Sequence, residues 1–419
     1  MKQTICKSEI NGQIHALPSK SCEQRILVAA LLSRGECQIL NQGNSEDVIF
    51  ARKIIETLGC KISIENDILK LSAFSSDESD EIDCGESAMN ARLFASVACM
   101  FKNKFTITGK GSLLQRPIAS DFYVFRQMGV VIENYTEYLP ISFTQTNLLP
   151  GTYNIDGSKT SQLISGLMMT LAVLPSDSEL IVHNPVSIDY INLSVDIMKY
   201  AGVKCEMIFN EFGNLIINIP GNQIYNSATY KVEGDWSGAA NILVAAALTG
   251  QIKIVGLNGD SKQADKNILS IFDKAGVSYS WEGNDLSVKK TKIKTFEFDA
   301  KNCPDLIPIA IVLACFSTET CLIKGANRLK HKESSRAEVM QQELKKSGVI
   351  IEISDDDIFV YPSKEMTPAK FDSHNDHRIA MALSIFSLAI NGESTIKNAE
   401  CVSKSYPSYY FDLKKIGLK

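Results

Sequence analysis

The chain has 419 residues, 45% of them apolar and 22% charged, with a formal net charge of −5. Single cores stop growing at roughly 250–300 residues, so two domains are expected, and the apolar content excludes a disordered chain. The mildly acidic balance argues against general nucleic-acid binding, and eleven cysteines with no C-x-x-C and no Cys/His cluster at zinc spacing read as reduced core residues of a cytosolic protein.

The first residues, MKQTICKSEINGQ, lack an apolar h-region, and no apolar run reaches about 18 residues. Neither export nor a membrane span is therefore expected. From there a pattern recurs along the whole chain. Each recurrence opens with a strongly apolar helix: RILVAALLS from Arg25, ARLFASVACMF from Ala91, SQLISGLMMTLAVL from Ser161, NILVAAALTG from Asn241, DLIPIAIVLACF from Asp305 and HRIAMALSIFSLA from His377. These segments are apolar nearly all round, as buried helices are. A short strand and a polar loop follow, as in Thr106-Ile107-Thr108-Gly109 and Ile254-Val255-Gly256. An amphipathic helix then ends on a glycine at Gly59, Gly129, Gly202, Gly276, Gly348 and Gly417. The steps between these glycines are 70, 73, 74, 72 and 69 residues, too regular for chance loops. Several are followed by β-branched residues, which predicts helix, glycine cap, then strand. Each repeat should hold one buried helix, one amphipathic helix and several strands. Six repeats over two domains suggest three per domain in a pseudo-threefold α/β arrangement, with a solenoid as the alternative.

Polar residues gather just ahead of the buried helices. Ser19-Lys20-Ser21 and Arg25 lie at the first, Asp156-Gly157-Ser158-Lys159-Thr160-Ser161-Gln162 at the third, and Asn375-Asp376-His377-Arg378 at the sixth. Free N–H groups and the positive dipole end make such places anion sites. The alternative for Ser and Asp here is simple N-capping, but Lys20, Arg25 and Arg378 are poor caps. Further cations precede the amphipathic helices: Arg116, Lys332, Arg336 and Lys404. Each alone could be a solvated surface charge; the recurrence favours a polyanion site. Two carboxylates accompany them. Asp305 could be an N-cap and Glu333 an ion-pair partner of Arg336 three residues on. Held among cations, either would be a base, and it could carry a proton once a ligand's charges neutralise those cations.

These stretches, LPSKSCEQR, DGSKTSQ, RLKHKESSR and NDHRIAM, resemble in order and spacing the 5-enolpyruvylshikimate-3-phosphate synthases, members of the enolpyruvyl transferases. The resemblance runs from about Leu17 to Lys419. It implies an α/β (α+β) fold of two lobes, each a pseudo-threefold assembly of three βαβαββ units, with the active site in the cleft between them. One lobe would comprise residues 1–18 and 231–419, and the other residues 19–230. The reaction implied is addition of the 5-hydroxyl of shikimate 3-phosphate to phosphoenolpyruvate, followed by loss of phosphate, in chorismate and aromatic amino-acid biosynthesis. The C–O bond breaks, so the Mg²⁺ machinery of phosphoryl transfer is not required. No cofactor or metal, no nucleic acid and no membrane are implied, and the expected protein is a cytoplasmic monomer.

By the same resemblance, shikimate 3-phosphate would meet Lys20, Ser21 and Arg25, with Arg25 at its carboxylate. Thr160, Ser161, Ser187 and Lys332 would hold its phosphate. Gln162 and Tyr190 would border its ring, and Asp305 would also bind it. Phosphoenolpyruvate would be gripped by Lys20, Arg116, Gln162, Arg336, Arg378 and Lys404, beside Ala88. Asp305 would accept a proton, Glu333 would donate one, and Lys20 would take part in catalysis. Arg92 and Asp235 would form a structural pair. This chain departs from the family at Ala88, where glycine is usual, at Met89, where a small polar residue is usual, and in a first turn shortened by one small residue before Ser19. The alternatives are the sister transferase acting on UDP-N-acetylglucosamine, which typically carries a cysteine in the loop that here reads GKGSLLQRP, and a catalytically silent anion-binding scaffold.

Overall fold

The computed structural model describes residues 1–74, 79–133, 136–330, 332–363 and 365–419. Among them the strands form six small mixed sheets, five of four strands and one of three. The sheet of Thr152–Asp156, Ser178–His183, Leu215–Ile219 and Glu206–Phe209 shows the common order. Its first two strands are parallel and the rest antiparallel. Parallel neighbours need a crossover, and here it is the buried helix Gln162–Leu171. The helix Ile188–Tyr200 leads to the edge strand, and a hairpin brings Leu215–Ile219 back to the middle. Two further sheets, containing Lys104–Thr108 and Cys321–Lys324, are built wholly from consecutive segments in the same order.

The other three sheets are completed from far along the chain. Thr229–Lys231 joins Cys37–Leu40 in parallel. Asn11–His15 joins Gln251–Val255 in parallel, and Lys2–Cys6 closes the three-stranded sheet against Glu393–Lys397. The chain accordingly divides into a terminal unit, Met1–Ser19 with Glu233–Lys419, and an inserted unit, Lys20–Val232. The first chain segment is held to the return segment within the terminal unit. Ser19 N donates to Glu233 O at 2.8 Å and Asp235 N to Leu17 O at 2.6 Å.

The six apolar runs are helices: Lys20–Ser33, Ala88–Ala98, Gln162–Leu171, Trp236–Thr249, Ile307–Cys315 and His377–Ala389. Nearly every side chain in them is buried, so each forms the centre of its repeat rather than its cover. Three starts are fixed by side-chain caps, with Ser87, Asp235 and Asp376 accepting from Asn90 N, Ser237 N and Arg378 N. The periodic glycines have φ of +97°, +84°, +84°, +73°, +83° and +124°, the left-handed region where only glycine is unstrained. One expected amphipathic α-helix is different. Ala119–Arg126 forms a 3₁₀ helix. Its core, Asp-Phe-Tyr-Val-Phe, consists of weak α-helix formers whose aromatic rings pack inward at Phe122 and Phe125. Among the described residues no helix is long and apolar enough to cross a membrane. All eleven cysteines are free thiols.

Candidate active site

In the inserted unit the first turns of the three buried helices meet. Lys20 opens the first helix and its Nζ lies 2.9 Å from Asp47 Oδ2. The Asp47 carbonyl accepts from Asn90 Nδ2 at 2.9 Å, and Asn90 Oδ1 accepts from Gln24 Nε2 at 2.6 Å. The second helix, which begins at Ala88, is thus tied to the first. Arg25, one turn into the first helix, is 1% exposed. Its Nε donates to Ser194 Oγ at 2.7 Å, Nη1 to Ser21 O at 2.8 Å and Nη2 to Ser165 Oγ at 3.2 Å. The Tyr190 ring lies 5.6 Å from the guanidinium carbon, and Met89 Sδ accepts a long bond of 3.9 Å. These partners are all neutral. No carboxylate of the described residues pairs with Arg25, and burial, the largest influence, pulls its pKa down to about 10. A buried cation held only by hydroxyls, a carbonyl and a ring is a poised anion site.

The third helix begins at Gln162, whose Oε1 accepts from Arg92 Nη1 at 3.0 Å, while Arg92 Nε pairs with Asp121 at 2.7 Å. Thr160 Oγ1 accepts from Gln162 N at 3.2 Å, and Ser161 is the buried residue before the helix. Ser187 precedes the helix Ile188–Tyr200 in a left-handed conformation, φ +53°. Arg116 ends the 3₁₀ turn Gly111–Gln115 and is half-buried. Glu86 accepts from Ser112 N at 3.0 Å and from Ser112 Oγ at 2.9 Å, so the turn carrying Arg116 is tied to the loop that leads into Ala88.

In the terminal unit every site cation has a carboxylate. Arg336 is buried and touches three: Nη1 to Asp305 Oδ1 at 2.7 Å, Nε to Asp376 Oδ2 at 2.8 Å, and Nη2 to Glu333 Oε1 at 4.0 Å. Lys332 lies 3.2 Å and Arg378 3.7 Å from Asp305. Lys404 donates to Asn375 O at 2.7 Å and lies 3.7 Å from Glu333, which His377 Nδ1 also approaches at 3.0 Å. Burial is the largest influence on Asp305 and would raise its pKa. Lys332, Arg336 and Arg378 together outweigh it and hold the carboxyl well below the usual range. Glu333 is likewise raised by burial, and held well below its ordinary value by His377, Arg336 and Lys404. Both carboxylates are therefore ionised in the ligand-free protein.

Glu333, Asp376 and His377 place ligand atoms within 4.8 Å of one another. This spacing could serve a metal, but Arg336 already occupies Asp376 Oδ2 and Lys404 lies beside Glu333. The positive surroundings make the group a poor cation site and a good anion site.

The EPSP synthase family model, 3-phosphoshikimate 1-carboxyvinyltransferase, matches residues 6–413. The chain belongs to the EPSP synthase family. The 3-phosphoshikimate 1-carboxyvinyltransferase of Clostridium novyi (strain NT) is 35% identical over 425 residues, covering 99% of this chain and 97% of that protein. That of Clostridium acetobutylicum is 35% identical over 416 residues, covering 97% and 95%. The fold matches an EPSP synthase structure from Acinetobacter baumannii at a TM-score of 0.82 and 21% identity, over 100% of this chain and 98% of that one. It also matches the enolpyruvyl transferase NikO of Streptomyces tendae at 0.80 and 16%, over 99% and 97%. The activity is that of a 3-phosphoshikimate 1-carboxyvinyltransferase in the shikimate pathway of aromatic amino-acid biosynthesis.

Within this EPSP synthase the residues expected from the sequence fall into two sets. In the inserted unit Ser21 and Tyr190 both contact Arg25, while Lys20 pairs with Asp47 and Gln162 with Arg92. Asp305, Lys332, Glu333, Arg336, Arg378 and Lys404 form one ion-pair network in the terminal unit. Thr160, Ser161 and Ser187 stand at helix starts of the inserted unit. Asp305 caps no helix, since its oxygens face three cations. The Glu333–Arg336 pair is present, but long. Arg92 pairs with Asp121 in its own unit, and Asp235 caps a helix in the other. Sequence reasoning missed Asp47, Asp121, Ser165, Ser194, Asp376 and His377 as site partners. Asp376 and His377 were within a motif that marked the place. Asp47 looked like an ordinary first-turn acid of the helix Glu46–Thr57.

Proposed function

We propose that the two sets of residues act on one pair of substrates. Shikimate 3-phosphate is bound by Lys20, Ser21 and Arg25, with Thr160, Ser161, Ser187 and Lys332 at its phosphate and Gln162 and Tyr190 beside its ring. Arg25 takes the carboxylate, the anion its neutral surroundings lack. Phosphoenolpyruvate is held by Lys20, Arg116, Gln162, Arg336, Arg378 and Lys404, next to Ala88. Guanidinium forks suit its carboxylate and phosphate because they bind in a bidentate manner and keep their charge.

In the addition, the shikimate 5-hydroxyl oxygen bonds to the central carbon of phosphoenolpyruvate. Asp305 accepts the hydroxyl proton and the methylene carbon gains one from Glu333. In the elimination the C–O bond to phosphate breaks and the new methyl group returns a proton to the Glu333 carboxylate, which regenerates the carbon–carbon double bond. Glu333 must therefore be protonated when the substrates are in place. The ligand supplies that change. Its negative charges neutralise Arg336 and Lys404, which removes two of the three cationic influences that keep Glu333 ionised and leaves only His377 beside it. Lys20, paired with Asp47 in the ligand-free protein, exchanges that partner for substrate phosphate. Protein cations meet every substrate charge, so no metal is assigned. One chain carries the full set, and a cytoplasmic monomer suffices.

The observation that carries this reading is the Arg336 guanidinium, which places both proton-handling carboxylates on one charge, at 2.7 and 4.0 Å. Phosphate release tests it. Release from phosphoenolpyruvate should require shikimate 3-phosphate. Release with UDP-N-acetylglucosamine instead, or none with either acceptor, overturns it.

A further inference from the structure

The ion-pair network of the terminal unit has a loose end. The Arg378 guanidinium is buried, yet among the described residues it makes no hydrogen bond. Its Nη2 reaches Asp305 only at 3.7 Å, and its Nε has no partner. Buried donors are rarely left this way, because an unpartnered N–H gives up its hydration with nothing in return.

A second buried group is unmatched in the complementary sense. Asp265 lies on the 3₁₀ turn Ala264–Asn267 and is 1% exposed. Its Oδ2 accepts from Ser237 Oγ, while its Oδ1 has no partner among the described residues. The turn packs on the helix Trp236–Thr249, which in turn packs on the helix His377–Ala389 carrying Arg378. Arg378 is the largest charge influence on Asp265, and Asp265 is second only to Asp305 among the groups that favour the charged form of Arg378.

The turn is well anchored. Gln263 Nε2 donates to Glu233 Oε1 and to Gly234 O, both at 2.8 Å, and its Oε1 accepts from Trp236 N at 3.1 Å. Ser261 Oγ donates to Glu233 at 2.8 Å. A carboxylate fixed on such a base is suited to hold a long, mobile guanidinium.

We propose that Asp265 is a positioning residue for Arg378. When an anionic substrate draws Arg378 away from Asp305, the Asp265 carboxylate accepts from the guanidinium on the side turned from the ligand. The fork then faces the substrate carboxylate in a single orientation. This role rests on the assignment of Arg378 to phosphoenolpyruvate, and Asp265 touches no substrate itself.

The groups facing Asp265 decide its pH behaviour. They are Arg378 on the helix His377–Ala389, Asp305 on the turn Pro304–Leu306, and Asp235 and Ser237 at the start of the helix Trp236–Thr249. Burial, the largest influence, together with Asp305 and Asp235 outweighs Arg378 and Ser237, and the pKa is pushed up to about 6. A raised folded pKa means the folded state holds the proton more tightly than the unfolded chain does. Ionising Asp265 therefore weakens stability as pH rises from about 4 to its folded pKa.

The experiment compares wild type with Asp265→Asn, Ser237→Ala and Arg378→Ala in steady-state assays at pH 8, with thermal midpoints measured alongside. Asp265→Asn should raise KM for phosphoenolpyruvate about tenfold, with kcat within about threefold of wild type. Its thermal midpoint should equal or exceed that of wild type. Ser237→Ala should leave KM within about twofold. The kcat/KM of wild type should fall below pH 6 more steeply than that of Asp265→Asn, a difference in which titration of the substrate cancels. If Asp265 only anchors the helix start, Asp265→Asn and Ser237→Ala will lose midpoint together, neither will change KM, and the inference is overturned. An unchanged KM in Arg378→Ala overturns the assignment of Arg378 instead.

Discussion

Two buried arginines, Arg336 of the terminal unit and Arg25 of the inserted unit, solve the same problem, keeping a cation inside a protein, in opposite ways. In the terminal unit Arg336 is shared by Asp305, Asp376 and Glu333, and Lys332, Arg378 and Lys404 each lie within 4 Å of one of these carboxylates. In the inserted unit Arg25 is held by Ser165, Ser194 and the Ser21 carbonyl under the Tyr190 ring, with no negative partner among the described residues. A cation without a counter-ion binds an anion by gaining what it lacks. A cation with one binds an anion by releasing what it has. On the proposed function, the first arrangement provides affinity, and the second makes the proton state of a carboxylate depend on whether ligand is present.

The comparison breaks most sharply at the carboxylates. Asp305→Asn and Glu333→Gln keep shape and remove proton transfer, so kcat should fall by about 10²–10⁴ with a smaller change in KM. Steady-state kinetics with both substrates checks this. Near-normal kcat would return both residues to simple ion pairing.

Stability should separate the units next. Arg336→Met strands buried carboxylates, which costs about 3–5 kcal/mol in denaturant titration. A loss within 1 kcal/mol would mean that the network is not what holds these groups.

How much of this contrast was legible in the sequence differs residue by residue. The repeat was legible because a left-handed helix terminus needs glycine, and the same backbone problem recurs six times. The buried helices were legible because each lacks a polar face. Ala119–Arg126 was not, since spacing of apolar residues alone does not separate a 3₁₀ turn from a short α-helix. The pairing of Lys2–Cys6 with Glu393–Lys397 leaves no local trace in either segment. The cations drew attention because bulky charges are poor caps, whereas Asp376 was hidden because it does cap. Its Oδ1 accepts from Arg378 N at 2.9 Å while its Oδ2 holds Arg336. The absence of a carboxylate at Arg25 is a property of the packed structure, and no single stretch of sequence encodes it.

Ala88 sharpens the contrast from the ligand side. It opens the second buried helix of the inserted unit at 3% exposure, where the family resemblance leads one to expect glycine. On the proposed placement of phosphoenolpyruvate its methyl group narrows the space beside that substrate, and glyphosate, which is longer, should lose more. Overpacking of about 1–3 kcal/mol corresponds to about 5- to 150-fold in affinity. Glyphosate inhibition constants for wild type and Ala88→Gly should differ in that sense; equal constants would remove the steric argument.

Acid should act on the site carboxylates of the terminal unit. The depressed folded pKa values of Asp305 and Glu333 contribute stability that is present above the usual carboxylate range of about 4 and lost as pH falls through the folded values. Unfolding followed from pH 7 down to 2 should show a shallower decline in Asp305→Asn than in wild type. Parallel declines would contradict these shifts.

The most direct test of the contrast is the thermal midpoint of Arg25→Met with and without shikimate 3-phosphate. An uncompensated buried cation weakens the folded state, so without ligand the variant should melt at or above the wild-type temperature, and the rise that saturating shikimate 3-phosphate gives the wild type should be lost. A variant that melts lower without ligand and keeps the full rise on adding it would show that Arg25 is a structural cation, and that its charge is not reserved for the substrate.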